Sequence, residues 1–292
     1  MRDWSSGNWT VAVPAWLAVG FALAIGVLPV LLYAARGDLD YGAMTALNSR
    51  DLESLMRSVA VSSVGVAAQL GAGLTLALLL YWRGVGWRVA FLAAAASLAV
   101  SPLVAGLIWA SFLDYAQGGM NLILGALGLP GIPWLSGRPV GYPPQLTGYS
   151  ELNWGQVSTL LIDSWLWSPF VASLCLLFIK QVPRALVESA LIESGSRLRV
   201  SLRVLLPLAL PGILLIGLYR FLDLYRAFEL NYVIFGTSAP GQLATTRAYV
   251  LSYLARNHTA AASLSIAQLL LAVPFVIALL AYMRVALMRT DR

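Results

Sequence analysis

Long uncharged runs of apolar residues, each closed off by a charge, dominate the chain. Val11–Ala35 ends at Arg36, Val59–Trp82 ends at Arg83, and Val89–Leu113 lies between Arg88 and Asp114. Val157–Ile179 runs up to Lys180 and contains one acid, Asp163. Val204–Tyr219 continues into the charged segment Arg220–Glu229, and Ala260–Met283 ends at Arg284. A bilayer core roughly 30 Å thick needs about 20 apolar helical residues to cross it. The pattern predicts an all-α polytopic chain of six transmembrane helices, the fifth the least regular. The first run is too long for the apolar region of a signal peptide, and no small-x-small cleavage site follows it. It is expected to be a retained first span.

The connections are unequal. Arg83–Arg88 is a tight turn. Asp114–Gln156 is long and rich in Gly and Pro (Leu129-Pro130-Gly131-Ile132-Pro133-Trp134), with a short interfacial helix expected over Gly119–Leu129. Asn231–Thr259 contains Ala244–Arg256, expected as a short amphipathic helix. Six spans put both termini on one side. That side carries eleven basic residues (Arg2, Arg83, Arg88, Lys180, Arg184, Arg197, Arg199, Arg203, Arg284, Arg289 and Arg292) against four acids. The rest of the chain holds eight arginines and nine acids. Basic residues stay with the cytoplasmic loops, so both termini are expected there. Tyr and Trp near several span ends fit an aromatic belt. Residues 1–292 read as one membrane domain, without repeat or low-complexity tract.

Composition supports lipid as the solvent. The chain of 292 residues is 59% hydrophobic and only 11% charged, with a mean hydropathy of +0.77. A soluble domain carries roughly twice that charge. The net charge of +6 would suit nucleic acid in a soluble protein; here it follows from the sidedness of the loops, and no nucleic-acid partner is expected. The single cysteine, Cys175, lies in an apolar run and forms no intrachain disulfide.

The loop between the fourth and fifth spans, residues 183–207, holds the most informative pattern. Pro183 suits the first turn of a helix. Ala185, Leu186, Ala190 and Leu191 follow at helical spacing, with the small Ser189 and Ala190 beside Glu188. Gly195 can break that helix, and a basic stretch leads to Leu206-Pro207, where the next span is expected to begin. The segment reads as a short knob-like helix on the inner face, suited to a partner's groove. A basic loop holding anionic lipid headgroups is the competing reading.

In this loop the chain resembles permeases of binding-protein-dependent, ATP-driven importers. The likeness is to the sugar and glycerol-phosphate branch that includes the maltose permeases. Their cytoplasmic signature is Glu-Ala-Ala, two residues, Asp-Gly and, about a dozen residues on, Leu-Pro. It is matched here by Glu188-Ser189-Ala190, Glu193 and Leu206-Pro207. Trp167-Ser168-Pro169-Phe170 resembles a stretch of the family's fourth span. Leu127-Gly128-Leu129-Pro130 with Trp134-Leu135-Ser136 resembles its outer loop. Arg220-x-x-Asp223-x-x-Arg226-x-x-Glu229 followed by Tyr232-Val233 is similar to the close of its fifth span. The likeness covers roughly residues 55–285. Ser189 departs from the first alanine, and Ser194 stands at the glycine position with Gly195 one place later. The last outer loop, Gly236-Thr-Ser-Ala-Pro240-Gly241, has less glycine than the family's.

The resemblance implies a type I importer permease fold in the cytoplasmic (inner) membrane of a prokaryote. It also implies several partners: a second, different permease subunit, two ATPase subunits that use ATP and Mg, and an extracytoplasmic solute-binding protein. Residues 183–207 would be the coupling loop, with Glu188, Ser189, Ala190, Glu193 and Gly195 at the ATPase contact and Pro207 setting the start of span five. The chain itself is expected to bind no cofactor. A phosphate loop needs a lysine just after glycine and before Ser or Thr, whereas Lys180 lies between Ile179 and Gln181.

Intramembrane charges cost about 2.5–3.5 kcal/mol each at a helix centre and usually face the protein interior. Asp163 and Trp167 are four apart and share a face of span four; Arg220 and Asp223, three apart, can pair on span five, and Tyr219 aligns with Asp223. A polar face with aromatic rings suits a sugar, and these five residues are the candidate pathway. Two readings stay open, a lined pathway and a structural ion pair locking span five to a neighbour.

No catalytic or metal site is expected. His258 is the lone histidine, without metal-spaced partners or a credible triad. Gly71-x-Gly73 and Gly84-x-Gly86 read as close helix packing and a turn. The rival classes are an ion-coupled secondary transporter or channel, a membrane-embedded enzyme, and an importer of polyamine, phosphate or peptide. The first would call for inverted repeats or several buried acids.

Overall fold

The computed structural model describes residues 47–82, 85–136, 153–237 and 241–290. The expected first span, Val11–Ala35, lies outside the described residues. Among those described there is no strand element, and every regular element is a helix. Among the described residues four helices are long and apolar enough to cross a membrane, and a bent pair brings that number to five if it counts as one crossing.

Helix α1, Ser49–Trp82, begins ten residues ahead of the expected Val59. Its start is fixed by a reciprocal cap. Asn48 Oδ1 accepts from the Asp51 N–H at 2.9 Å, and Asp51 Oδ2 accepts from the Asn48 N–H at 3.2 Å. Two charged residues of this extension reach the Gln242–Arg247 stretch: Asp51 pairs with Arg247 at 3.0 Å, and Arg57 donates to the Gln242 carbonyl at 3.2 Å.

The third expected span differs most. Val85–Ala95 (α2) tightens into a 3₁₀ turn at Ala96–Ala99, stops, and restarts as Pro102–Phe112 (α3), bent by 104°. The cause is Pro102, which disfavours helical geometry in the residue before it. Ser101 is extended (φ −67, ψ 149) and caps α3 by accepting from the Val104 N–H at 3.3 Å. The expected interfacial helix is α4, Gly119–Ala126.

Helix α5, Trp154–Lys180, opens on a capping box in which Asn153 and Gln156 bond reciprocally. Helix α6, Arg184–Ser194, follows Pro183 and ends at Gly195, whose φ of +61 is the left-handed geometry glycine adopts without cost. Helix α7 then runs over Arg197–Tyr225. It starts nine residues before the expected Leu206 and passes through Pro207. The Ser201–Leu205 turn is π-wound, with the Leu206 N–H bonded five residues back to Ser201 O. This looser winding lies where Pro207 lacks its own N–H. Short helices α8, Glu229–Phe235, and α9, Ala244–Tyr249, precede α10, His258–Thr290. A π turn at Val250–Leu254 prolongs α9, close to the amphipathic helix expected there.

α1 packs against α5 and α7, and α7 packs against α5 and α10. At one end Ala77, Val171, Cys175, Ile179, Val187, Leu205, Ala209 and Ile213 form one buried cluster joining α1, α5, α6 and α7. At the other end Ala105, Ile162, Leu166 and Leu230 join α3, α5 and α8. Polar side chains are inside, including Ser58, Ser62, Gln69, Asp163 and Arg220. Large apolar ones are outside, including Leu107 and Ile108 of α3 and Leu270 and Ile277 of α10. That inversion suits a hydrocarbon solvent, to which apolar surface can be left exposed.

Candidate functional site

Two constellations stand out, one in the α6 loop and one between the long helices. In the loop, Val187 is 5% exposed and ties α6 to the core below it, with Ala190 and Leu191 packed partly against the same cluster. Glu188, Ser189 and Glu193 are exposed on the other faces, as are Leu186 and Ile192, the latter 87% exposed. A short helix anchored by one side and carrying two bare aliphatic residues beside two acids offers a mixed apolar and acidic face. Gly195 turns the chain, not Ser194, whose carbonyl accepts from Arg199 at 3.4 Å. The loop is stitched to the long helices. Trp82 Nε1 donates to Ser201 Oγ at 2.8 Å, and the Arg197 guanidinium lies 5.7 Å from the Trp82 ring centre. Pro207 is exposed, inside α7.

Between the helices, Arg220 of α7 is wholly buried. Its Nη2 donates to Asp163 Oδ2 of α5 at 2.7 Å, its Nε to Gln69 Oε1 of α1 at 2.8 Å, and its Nη1 to Asp223 Oδ2. Gln69 closes the ring by donating from Nε2 to Asp163 Oδ2. The Trp167 ring, one turn after Asp163, lies 4.5 Å from the guanidinium carbon, within cation–π range. Asp223 also accepts from Arg226 at 3.2 Å. A buried guanidinium needs its fixed fork of donors matched, and here three helices supply the acceptors.

The five candidate pathway residues are thus brought together but do not share one environment. Asp163 and Arg220 are enclosed. Trp167 is half-buried, between the guanidinium and a small cavity of about 260 Å³ at the α2–α3 break. Tyr219, 47% exposed, and Asp223, its side chain 25% exposed, border a larger cavity of about 490 Å³ with Thr245, Ser265 and Gln268. Gln69 was missed from sequence. Its signal was a lone amide in an otherwise apolar run, and such a group seeks partners inside the bundle.

Compared with known proteins, the chain is similar to three transport-system permeases. It is 30% identical to the sulfoquinovosyl glycerol transport system permease protein SmoG of Agrobacterium fabrum, over 49% of this chain and 42% of that protein. It is 27% identical to the trehalose/maltose transport system permease protein MalF of Thermococcus litoralis, over 80% and 74%. It is also 27% identical to the glucose import system permease protein GlcT of Saccharolobus solfataricus, over 68% and 64%. The match spans less than half of SmoG and just under two thirds of GlcT. No family model matches the chain. Among solved structures, the chain superposes on a chain of a bacterial ABC transporter involved in import of the acidic polysaccharide alginate. The TM-score is 0.77 at 15% identity, with 95% of this chain and 96% of that one covered. A chain of the MetNI methionine ABC transporter matches with a TM-score of 0.55 at 14% identity, covering 85% and 99%.

Proposed function

We propose that this chain, a homologue of sugar ABC-importer permeases with the fold of an ABC-importer transmembrane subunit, carries a sugar or sugar-like solute across the cytoplasmic membrane. In this reading its 292 residues form one permease domain with six spans and both termini cytoplasmic. It works beside a second, different permease subunit, two ATPase subunits that hold ATP and Mg, and an extracytoplasmic binding protein.

The observation that carries the reading is α6. It is anchored through Val187 to the cluster joining α1, α5 and α7, and it presents Leu186, Glu188, Ser189, Ile192 and Glu193 outward. Closure of a partner around those residues would press on three spans at once, because packed cores transmit displacement. Nucleotide-driven closure then favours one access state and hydrolysis the other, a population shift. Enclosed Arg220 and Asp163 act as the clamp that makes the three spans move together, and Tyr219 and Asp223 face the solute path.

The test is a Glu188→Lys substitution in the assembled importer. Membrane insertion should be normal, while ATP-driven uptake and solute-stimulated ATPase activity fall at least tenfold. Wild-type uptake by that variant would overturn the coupling role.

A further inference from the structure

Arg57, near the start of α1, is 6% exposed, and its guanidinium makes one hydrogen bond among the described residues, from Nη1 to the Gln242 carbonyl at 3.2 Å. No carboxylate among those residues forms an ion pair with it. Asp51 is taken by Arg247 at 3.0 Å, and Glu53, one turn ahead of Arg57, acts on it only through space. Arg220 is enclosed to a similar degree but has its fork matched by Gln69, Asp163 and Asp223. The Nε of Arg57 has no partner at all.

Three further groups share that condition. Ser62 Oγ, Gln156 Nε2 and Gln242 Nε2 are buried without a hydrogen-bond partner, and with Arg57 Nε they complete the set of such side-chain atoms among the described residues. Packing draws the four together. Gly155 and Gly241 lie against the same Phe235 ring, which a Cβ on either would strike, so the adjoining Gln156 and Gln242 leave the backbone beside one side chain. α1 and α5 run parallel, with Gly65 against Leu160 and Gln69 bonded to Asp163, which sets Ser62 level with Gln156. Val61, Leu160 and Leu243 share one buried cluster. Ser58, one turn before Ser62, accepts from the Ala244 N–H at 2.9 Å.

All four groups can donate, and only the serine hydroxyl could also accept. Buried donors without acceptors are unfavourable, and a buried guanidinium without a counter-ion more so. Water would answer the donors but not the charge. Gln156 also stands in the first turn of α5, at the positive end of a helix dipole. A negatively charged acceptor answers donors, charge and dipole together. Enclosure on every side restricts it to a monatomic ion, since an organic anion would have to part the helices.

We propose that Arg57, Ser62, Gln156 and Gln242 form a buried site for a small inorganic anion of the chloride class, which fastens residues 241–244 to α1 and α5. The site is separate from the Arg220 network and independent of the cargo. Its probe is radiolabelled chloride, measured on the solubilised protein by equilibrium dialysis against gluconate at constant ionic strength. The wild type should bind chloride saturably, and its thermal midpoint should rise by several degrees as chloride replaces gluconate. Arg57→Gln should weaken binding at least tenfold. Arg50→Gln, at an exposed position of the same helix, should leave it unchanged. Gln242→Glu brings a carboxylate to the guanidinium in place of the ion. It should abolish chloride binding and raise the midpoint in gluconate above that of the wild type in gluconate, a gain that misfolding cannot produce.

No saturable binding by the wild type, binding by Arg57→Gln equal to wild type, or a Gln242→Glu protein that still binds chloride would overturn the site. Donors served by water alone would appear as a wild-type midpoint indifferent to chloride, and that result overturns it too.

Discussion

Arg220 makes its contacts from a position where none of its charge reaches solvent. Removing one partner from a buried ion pair costs about 3–5 kcal/mol, because the charge left behind has lost both water and its counter-ion. Arg220→Ala should therefore lower the thermal midpoint of the solubilised protein by several degrees, read by fluorescence-detected gel filtration. Arg220→Lys should recover only part of that loss, since an ammonium cannot reproduce the fork that reaches Gln69, Asp163 and Asp223 together. A midpoint unchanged in Arg220→Ala would show that the three helices hold without the clamp. The Arg220–Asp223 half of this network is legible in sequence, because three positions on one helix are neighbours. The other half is not. Asp163 lies 57 positions from Arg220 and Gln69 lies 94 from Asp163, and spacing along a chain does not say which faces of distant helices meet.

Among the elements, α6 owes its end to one backbone angle. Gly195 holds φ +61 with nothing within 4 Å of where a Cβ would stand, so the constraint is conformational and not steric crowding. Gly195→Ala should cost about 1–2 kcal/mol of local stability. Gly195→Pro cannot adopt the angle at all and should abolish coupled uptake while the protein still inserts, as measured by transport and membrane fractionation. Helix contact shows the reverse case. A Cβ on Gly73 would meet Val171 Cγ1 at 2.5 Å and the Ala172 backbone N at 3.1 Å, whereas Gly71 faces open space. Gly73→Leu should thus destabilise the α1–α5 contact by about 1–3 kcal/mol, and Gly71→Leu should be tolerated, both read from thermal midpoints. The expected close packing at Gly71-x-Gly73 therefore belongs to the second glycine alone. Hydropathy located the long helices but not their ends. It stops at the first charge, so it missed the cap at Asn48 and the passage of α7 through Pro207. It also read straight through Ser101-Pro102, where the chain bends.

At the scale of the molecule, the apolar exterior and polar interior follow from composition, and the excess of basic residues on one side argues for the direction of insertion. Reporter fusions test that direction. A cytoplasm-active reporter at residue 292 and one inserted after Ser194 should both be active, and a periplasm-active reporter in 114–118 should be active from the opposite side; any other pattern would overturn the proposed orientation. The break in the third expected span needed the structure, because the bent α2–α3 pair reads as one uninterrupted span in hydropathy. The cargo remained out of reach of composition, since an apolar span dissolves in lipid whatever passes beside it. One further property comes from the chain's lone thiol. Cys175 is fully enclosed among Val171, Ile179, Leu205 and Ala209, where α1, α5 and α7 meet the root of α6. In this arrangement maleimide should label it far more slowly than a surface thiol. If the proposed importer reading holds, labelling that accelerates under nucleotide would mark the moment those helices part, so the one cysteine of these 292 residues would serve as a chronometer of that cycle.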